Sequence, residues 1–276
     1  MSGELPSGAG RTAIWAAGVR ARESERADRW FDDQLAGVFA SAAGSDATLV
    51  PTALLPGANE IMAIRTRFFD EQMRSACAAG IRQVVVFAAG LDSRAFRLDW
   101  PDNVRLFELD LPDVFAFKEP VLASAGAVAR CERGVVAVDL REPWADALTA
   151  AGFDPGTATI WVAEGLLPFL KQAEADQLLA TVTELSAPDS QMAFDYAEQA
   201  GLDRLATYTT TAELRQLNAM LNPAEGSPAD WLATHGWQRS LCALQALGEH
   251  YGRPVPADAD WAIWSMYFFV AASRRQ

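Results

Sequence analysis

Histidine and cysteine are nearly missing from this chain, with two of the first and three of the second in 276 residues. His235 and His250 form no His-Glu-x-x-His, and Cys77, Cys131 and Cys242 are isolated and odd in number, so neither a transition-metal centre nor a disulfide framework has ligands to build on. No catalytic metal is expected, and scattered thiols suit a reducing cytoplasm. Basic charge is scarce as well. Against 36 acidic side chains there are 23 basic ones, and the resulting −13 repels phosphate backbones and acidic membrane surfaces. Nucleic acid is therefore not an expected partner. Long apolar runs are absent, none approaching the roughly 20 residues that span a bilayer. The opening Met1-Ser-Gly-Glu-Leu-Pro-Ser-Gly8 has no basic segment leading into an apolar core, so neither a membrane anchor nor export is expected.

What is present is a strand running into a glycine turn. Gln83-Val-Val-Val-Phe-Ala-Ala-Gly-Leu-Asp-Ser-Arg94 begins with the β-branched and aromatic run of a strand covered on both faces. It ends at Gly90, which has no Cβ to obstruct a close approach. A second run, Arg105 to Leu109, delivers Asp110 some 20 residues after Gly90. There an acid can accept hydrogen bonds from ribose hydroxyls at the carboxyl edge of an open α/β sheet. A dinucleotide site requires three spaced glycines, whereas the matching positions read Ala88, Gly90 and Ser93. No glycine spacing followed by Lys-Ser or Lys-Thr occurs to cradle a triphosphate. A nucleoside without a phosphate chain fits best, and S-adenosylmethionine is the common one.

Along the chain, residues 12–43 read as helix interrupted by Asp28-Arg-Trp-Phe-Asp-Asp33, and Val50-Pro-Thr-Ala-Leu-Leu-Pro-Gly57 as a loop. Ala58 to Ala79 predicts one long helix closed by Gly80. Further strands are expected at Gly134–Val138, Thr159–Ala163 and Gln191–Tyr196, with a helix opened by Arg141-Glu-Pro-Trp144. Residues 197–226 read as a polar helical lid. Trp237–Leu244 and Trp264–Ala272 read as two closing strands around Tyr251-Gly-Arg-Pro-Val-Pro256. The predicted fold is α/β: a doubly wound, mostly parallel, seven-stranded sheet. Residues 1–80 form a helical cap and lead-in helix, and 81–276 a nucleoside-binding domain carrying the lid. Asp110, Asp139 and Glu164 follow three successive strands and are expected around one crevice. Asp195 is open between two readings: a fourth acid at the same crevice or, because it lies within its strand, a residue that faces solvent. The aromatic cluster of Trp261, Trp264, Tyr267, Phe268 and Phe269 reads as core, and the two histidines as loop or surface residues.

Several segments together resemble one family: Arg20-Ala-Arg-Glu-Ser24, Arg65-Thr-Arg-Phe-Phe-Asp70, Ala88-Ala-Gly-Leu-Asp-Ser-Arg-Ala-Phe-Arg-Leu98, Phe107-Glu-Leu-Asp110, Val138-Asp-Leu140, Val162-Ala-Glu-Gly-Leu-Leu167 and Tyr251-Gly-Arg-Pro254. It is the leucine carboxyl methyltransferase-like family of S-adenosylmethionine-dependent methyltransferases, whose bacterial branch includes natural-product O-methyltransferases. The resemblance implies a Rossmann-like, class I methyltransferase sheet. It also implies that Arg65 grips the methionine carboxylate of the cofactor, assisted by Arg20, and that the turn at Ala88 and Gly90 packs against the methionine portion. Asp110 would take the ribose hydroxyls, Asp139 and Leu140 would meet the adenine, and Glu164 would face the methionine end. For Arg65 the rival reading is a salt bridge to Glu60 or Asp70, and for Asp110 and Asp139 it is helix capping. One departure stands out: Pro168-Phe-Leu170 follows Leu167 where the family often carries Met-Tyr-Leu, so a tyrosine hydroxyl is missing.

The expected activity is O-methylation of a carboxylate or phenol on a small natural product by a cytoplasmic enzyme. The alternatives are carboxyl methylation of a protein or peptide terminus, and a cofactor-binding fold that transfers no methyl. The expected partner is a small molecule, and a homodimer stays open. No catalytic base is compelling in the sequence, which favours an acceptor that is already an anion.

Overall fold

In the computed structural model, residues 5–6, 10–44, 57–207, 212–223, 228–255 and 267–274 are described. The Val50–Gly57 loop is outside them except for Gly57, as are Trp261 and Trp264.

Two short helices open the chain, α1 (Arg11–Ser24) and α2 (Gln34–Ala43), and Asp33 caps α2 by accepting from the Ala36 amide at 3.0 Å. The long α3 (Ala58–Ala78) follows and ends at Gly80, whose φ of 105° only glycine adopts without strain. It leads into β1 (Gln83–Phe87), the short α4 (Arg94–Arg97), β2 (Arg105–Asp110), α5 (Pro112–Ser124) and β3 (Glu132–Ala137). After them come α6 (Ala145–Ala150), β4 (Thr159–Ala163), a single 3-10 turn at Leu167–Phe169, α7 (Gln172–Glu184) and β5 (Gln191–Ala197). The chain closes with α8 (Gln199–Ala206), α9 (Ala212–Asn218), α10 (Pro228–Thr234), β6 (Trp237–Ala243), α11 (Leu244–His250) and β7 (Tyr267–Arg274).

The seven strands form one sheet in the order β3-β2-β1-β4-β5-β7-β6. The first five run parallel, and β7 is antiparallel to both of its neighbours. The chain winds outward from β1 in both directions, so the carboxyl ends of β1 and β4 lie side by side where the direction of winding reverses. That is the crevice position of doubly wound sheets.

Alternation along β1 divides the core. Val84 and Val86 pack with Ile61, Ile64, Phe68 and Phe69 of α3, while Val85 and Phe87 face Trp144, Trp161 and the α7 leucines. Phe87 stacks on Trp161 with centroids 5.6 Å apart. A smaller cluster buries α1 and α2 against α5, through Ile14, Phe39 and Phe117. This N-terminal cap is also tied to the segment after α11. Arg253 pairs with Glu23 at 2.6 Å and lies 3.8 Å over the Trp30 ring, and the Tyr251 hydroxyl donates to Glu71 on α3 at 2.8 Å.

Three local readings differ from the structure. The helix expected from Arg141-Glu-Pro-Trp144 begins only at Ala145, with Trp144 as its N-cap, because the chain uses Asp139–Glu142 for a turn first. The third strand is an edge and is shifted toward its amino end, with Val135 exposed. The closing strands are joined through α11, whose Leu244 and Leu247 are buried in the α3 face of the core. No helix among the described residues is long and apolar enough to cross a membrane.

Candidate functional site

The chain turns sharply where β1 ends. Ala88 (φ 46°) and Gly90 (φ 49°) both occupy the left-handed region, which a residue with a Cβ rarely enters. This brings the Gly90 amide within 2.6 Å of Asp110 Oδ2 at the end of the adjacent β2. The other oxygen, Oδ1, accepts from the Leu111 amide at 2.7 Å. Burial pushes the Asp110 carboxyl up, against the lowering effect of these two amides. A carboxylate oxygen has two lone pairs, so both oxygens keep acceptor capacity. The close approach that Gly90 permits is made by the cap: a Cβ there would lie 2.9 Å from the Ala13 Cβ of α1.

Beyond β3, Asp139 accepts from the Arg141 amide at 3.0 Å and pairs with its guanidinium at 2.6 Å. That hydrogen-bonded arginine holds the Asp139 carboxyl below the usual range. Leu140 is half-buried and packs against the α7 face of the core.

At the carboxyl end of β4 the surroundings change to buried ions. Glu164 Oε1 accepts from Arg65 Nε at 3.0 Å, and Glu164 Oε2 lies 2.8 Å from Arg94 Nη2. Burial pushes the Glu164 carboxyl up, but Arg94 and Arg65 together outweigh it and hold the group below its ordinary value. Arg65 also lies 3.3 Å from Asp195 on β5, and the second Asp195 oxygen accepts from the Gly165 amide at 2.6 Å. Gly165 (φ 68°) lies in the left-handed region that favours glycine, and a Cβ there would also press on the Arg65 guanidinium. Arg20 reaches in from α1, donating to the Leu91 carbonyl at 2.6 Å and to Asp33 at 2.8 Å.

The structure thus brings Arg65 and Glu164 face to face. Arg20, Ala88, Gly90 and Asp110 stand around the neighbouring turn, and Asp139 and Leu140 lie one strand further out. A guanidinium opposite a carboxylate is the complement of an amino-acid zwitterion, and an anchored acid at the end of β2 complements a ribose diol. Asp195 Oδ2 is buried and makes no hydrogen bond, and its charge is balanced by Arg65 at 3.3 Å. By the chemistry of these groups, a nucleoside carrying an amino-acid tail fits. No group of three or more metal-ligating side chains occurs among the described residues.

Two open readings of single residues are decided. Asp195 joins the crevice acids and does not face solvent: it is 0% exposed and 3.3 Å from Arg65, because β5 is interior and β7 covers its outer side. Arg65 pairs with neither Glu60 nor Asp70. Glu60 lies 4.0 Å from Arg26, and Asp70 is held by Arg94 and Arg97 at 2.6 Å each. Sequence reasoning passed over Asp92 and Arg94, and offered Asp70 only to Arg65. Their one signal was a position inside the Arg65–Asp70 and Ala88–Leu98 motifs, which says nothing of who pairs with whom. His235, by contrast, directly follows α10 and His250 ends α11, and His235 Nδ1 lies 3.1 Å from the Trp231 carbonyl.

A doubly wound sheet closed by a reversed pair, with an acid at the end of β2 beside a glycine turn, is the frame of a class I methyltransferase. The chain belongs to the leucine carboxyl methyltransferase family, whose profile matches residues 13–183, more than half of its length. A candidate S-adenosyl-L-methionine-dependent methyltransferase of Parafrankia sp. is 44% identical over 276 aligned residues, covering 97% of this chain and 88% of the relative. One of Frankia alni is 46% identical over 259, covering 92% of each. Among solved structures, a candidate methyltransferase from Thermobifida fusca superposes with a TM-score of 0.57 at 15% identity and covers 94% of both chains. A DUF574-family protein from Streptomyces avermitilis gives 0.60 at 14%, covering 95% of this chain and 97% of that one. These two likenesses establish the fold. The chain is an S-adenosylmethionine-dependent methyltransferase, and S-adenosylmethionine is its cofactor.

Proposed function

We propose that this enzyme methylates an oxygen of a small acceptor, a carboxylate or an acidic phenol. The observation that carries the reading is the occupation of every acid at the crevice. Glu164 is shared by two arginines, Asp110 is held by two backbone amides, Asp139 is paired with Arg141, and Asp195 is sealed inside the sheet. With its acids engaged in this way, the site is suited to an acceptor that arrives already ionised, as a carboxylate does at neutral pH.

The cofactor, when bound, supplies a methyl group activated by its sulfonium charge. The chain's own task is then to hold, orient and dehydrate. Arg65 would grip the methionine carboxylate and Glu164 the ammonium, while the backbone at Ala88 and Gly90 packs against the same portion. Asp110 would accept from the ribose hydroxyls, and Asp139 with Leu140 would meet the adenine. Arg20 would steady the turn through the Leu91 carbonyl and add positive charge near Glu164. The cap helix α1, seated on the turn by Ala13, would close the crevice against water. The lid in this reading is residues 197–226, which include α8 and α9.

The family description, with its carboxyl acceptor on leucine, also supports methylation of a peptide's terminal carboxylate as a second reading. The two are separated by incubating the enzyme with methyl-labelled cofactor and either small aromatic and aliphatic acids or peptides with free carboxyl termini. Label on the small acids is the expected result. Base-labile label on peptide alone would overturn it.

A further inference from the structure

Glu164 is shared between two arginines in different situations. Arg65 projects from α3 and is 14% exposed. Arg94, at the start of α4, is 4% exposed and saturated with partners. Its Nε donates to Asp70 at 2.6 Å, Nη1 pairs with Asp92, and Nη2 reaches both Glu164 and the Thr66 carbonyl. Its backbone is fixed as well: the amide donates to Asp92 Oδ1 at 2.6 Å, and the carbonyl accepts from Trp100 Nε1 at 2.9 Å. Three carboxylates from three segments converge on one planar guanidinium, an arrangement that a fork of donors can satisfy and a single ammonium cannot.

The consequence concerns what happens to Glu164 when a ligand carboxylate competes for Arg65. An acid whose sole partner was Arg65 would be left buried and unpaired, at high cost. Here Oε2 keeps Arg94, so the carboxylate stays ionised and in place while Oε1 becomes available to a cation.

We propose that Arg94 is the positioning residue for recognition of the cofactor's amino-acid end. It holds Glu164 in register and charged while Arg65 is transferred to the ligand, and Asp70 and Asp92 fix it from α3 and from the glycine turn. The proposal rests on the assignment of Arg65 and Glu164 to the methionine end, and goes beyond it by naming the group that lets the two act separately.

The test compares S-adenosylhomocysteine with 5′-methylthioadenosine, which shares the nucleoside and the sulfur but lacks the amino acid. Calorimetry measures both affinities in the wild type, in Arg94→Lys and in Asp92→Asn, with melting curves to verify folding. Arg94→Lys keeps the charge but cannot span three carboxylates. We expect S-adenosylhomocysteine to bind at least tenfold more weakly and methylthioadenosine within threefold of wild type. Asp92→Asn removes one anchor and should show the same selective loss, about threefold, and it decides the matter should Arg94→Lys fail to fold. Equal losses for both ligands, or none, would overturn the role of Arg94 while leaving Arg65 and Glu164 in place. A wild type that binds the two ligands equally would instead remove the underlying assignment, and this proposal with it.

Discussion

The two ends of the crevice are built on different principles. Around Asp110 and Asp139, each acid is held by atoms close to it in sequence or by the next strand's turn: Leu111, Arg141, and the Gly90 amide 20 residues away. Around Glu164, apart from Asp92 beside Arg94, the partners are side chains 24 to 99 residues apart that meet only in the folded sheet, such as Asp70 with Arg94 and Arg65 with Glu164. The first end is a set of strand-end acids oriented by backbone. The second is a pre-assembled ionic lattice whose members neutralise one another. The nucleoside end should therefore behave as separable contacts, and the amino-acid end as a coupled unit whose residues also carry stability.

The largest effect expected is on stability. Asp70 is fully buried between Arg94 and Arg97, and although burial alone would raise its carboxyl, the two arginines hold it below the ordinary range. Asp70→Asn should destabilise the fold by about 3–5 kcal/mol, the usual penalty for breaking a buried pair. A depressed folded-state value means that this contribution is present above the unfolded carboxylate range and is lost as pH falls through the folded value. Asp195 has the opposite sign: burial raises it in spite of Arg65. Asp195→Asn should therefore raise the melting temperature at neutral pH, and the gain should vanish once both states of the wild type are protonated. Thermal melts from about pH 2 to about pH 8, a window that spans the unfolded carboxylate value, measure both. Equal losses in the two variants would dissolve the contrast between the buried aspartates.

Next in size is Arg65→Met. Removing a charge-assisted grip on a carboxylate should weaken S-adenosylhomocysteine about 100-fold, or ~2.7 kcal/mol, while methylthioadenosine binds nearly as before. Asp110→Ala should weaken both ligands alike, by more than about tenfold, because the ribose is common to them. Calorimetry with the two ligands thus sorts the crevice into its two ends. If Asp110→Ala spared methylthioadenosine, the division drawn here would be wrong.

The same contrast explains what could be read in the sequence. The parallel strands and the acids at their ends follow from local patterns, namely β-branched runs, Gly80, Gly90 and the 20-residue spacing to Asp110. The ionic lattice was not legible, because no periodicity tells Arg94 that it meets Glu164 on another strand rather than an acid on its own helix. Asp195 stayed open between crevice and solvent for a related reason. Its placement between Phe194 and Tyr196 marks a strand interior, but whether that strand lies at an edge depends on where β7 returns, some 70 residues later. The helix α11 was missed because seven residues between two closing strands look like connection until Leu244 and Leu247 are seen to complete the face of α3.

Asp139 provides the mildest probe and the sharpest check on the division. It sits beyond the edge strand β3, pairs with Arg141 two residues away, and keeps a partly exposed carboxylate. An exposed ion pair contributes between 0 and about 1 kcal/mol, so Asp139→Ala should leave the melting temperature almost unchanged. If the acid meets the adenine amino group, as proposed, the variant should bind S-adenosylhomocysteine and methylthioadenosine about threefold more weakly, a single solvent-exposed hydrogen bond being worth little more. The loss should also be smaller for the inosine analogue of methylthioadenosine, which carries an oxygen in place of that amino group and gains nothing from a carboxylate at this point. Identical losses for the amino and oxo ligands would mean that Asp139 only braces Arg141 and the turn into α6, leaving the adenine to Leu140 and the backbone.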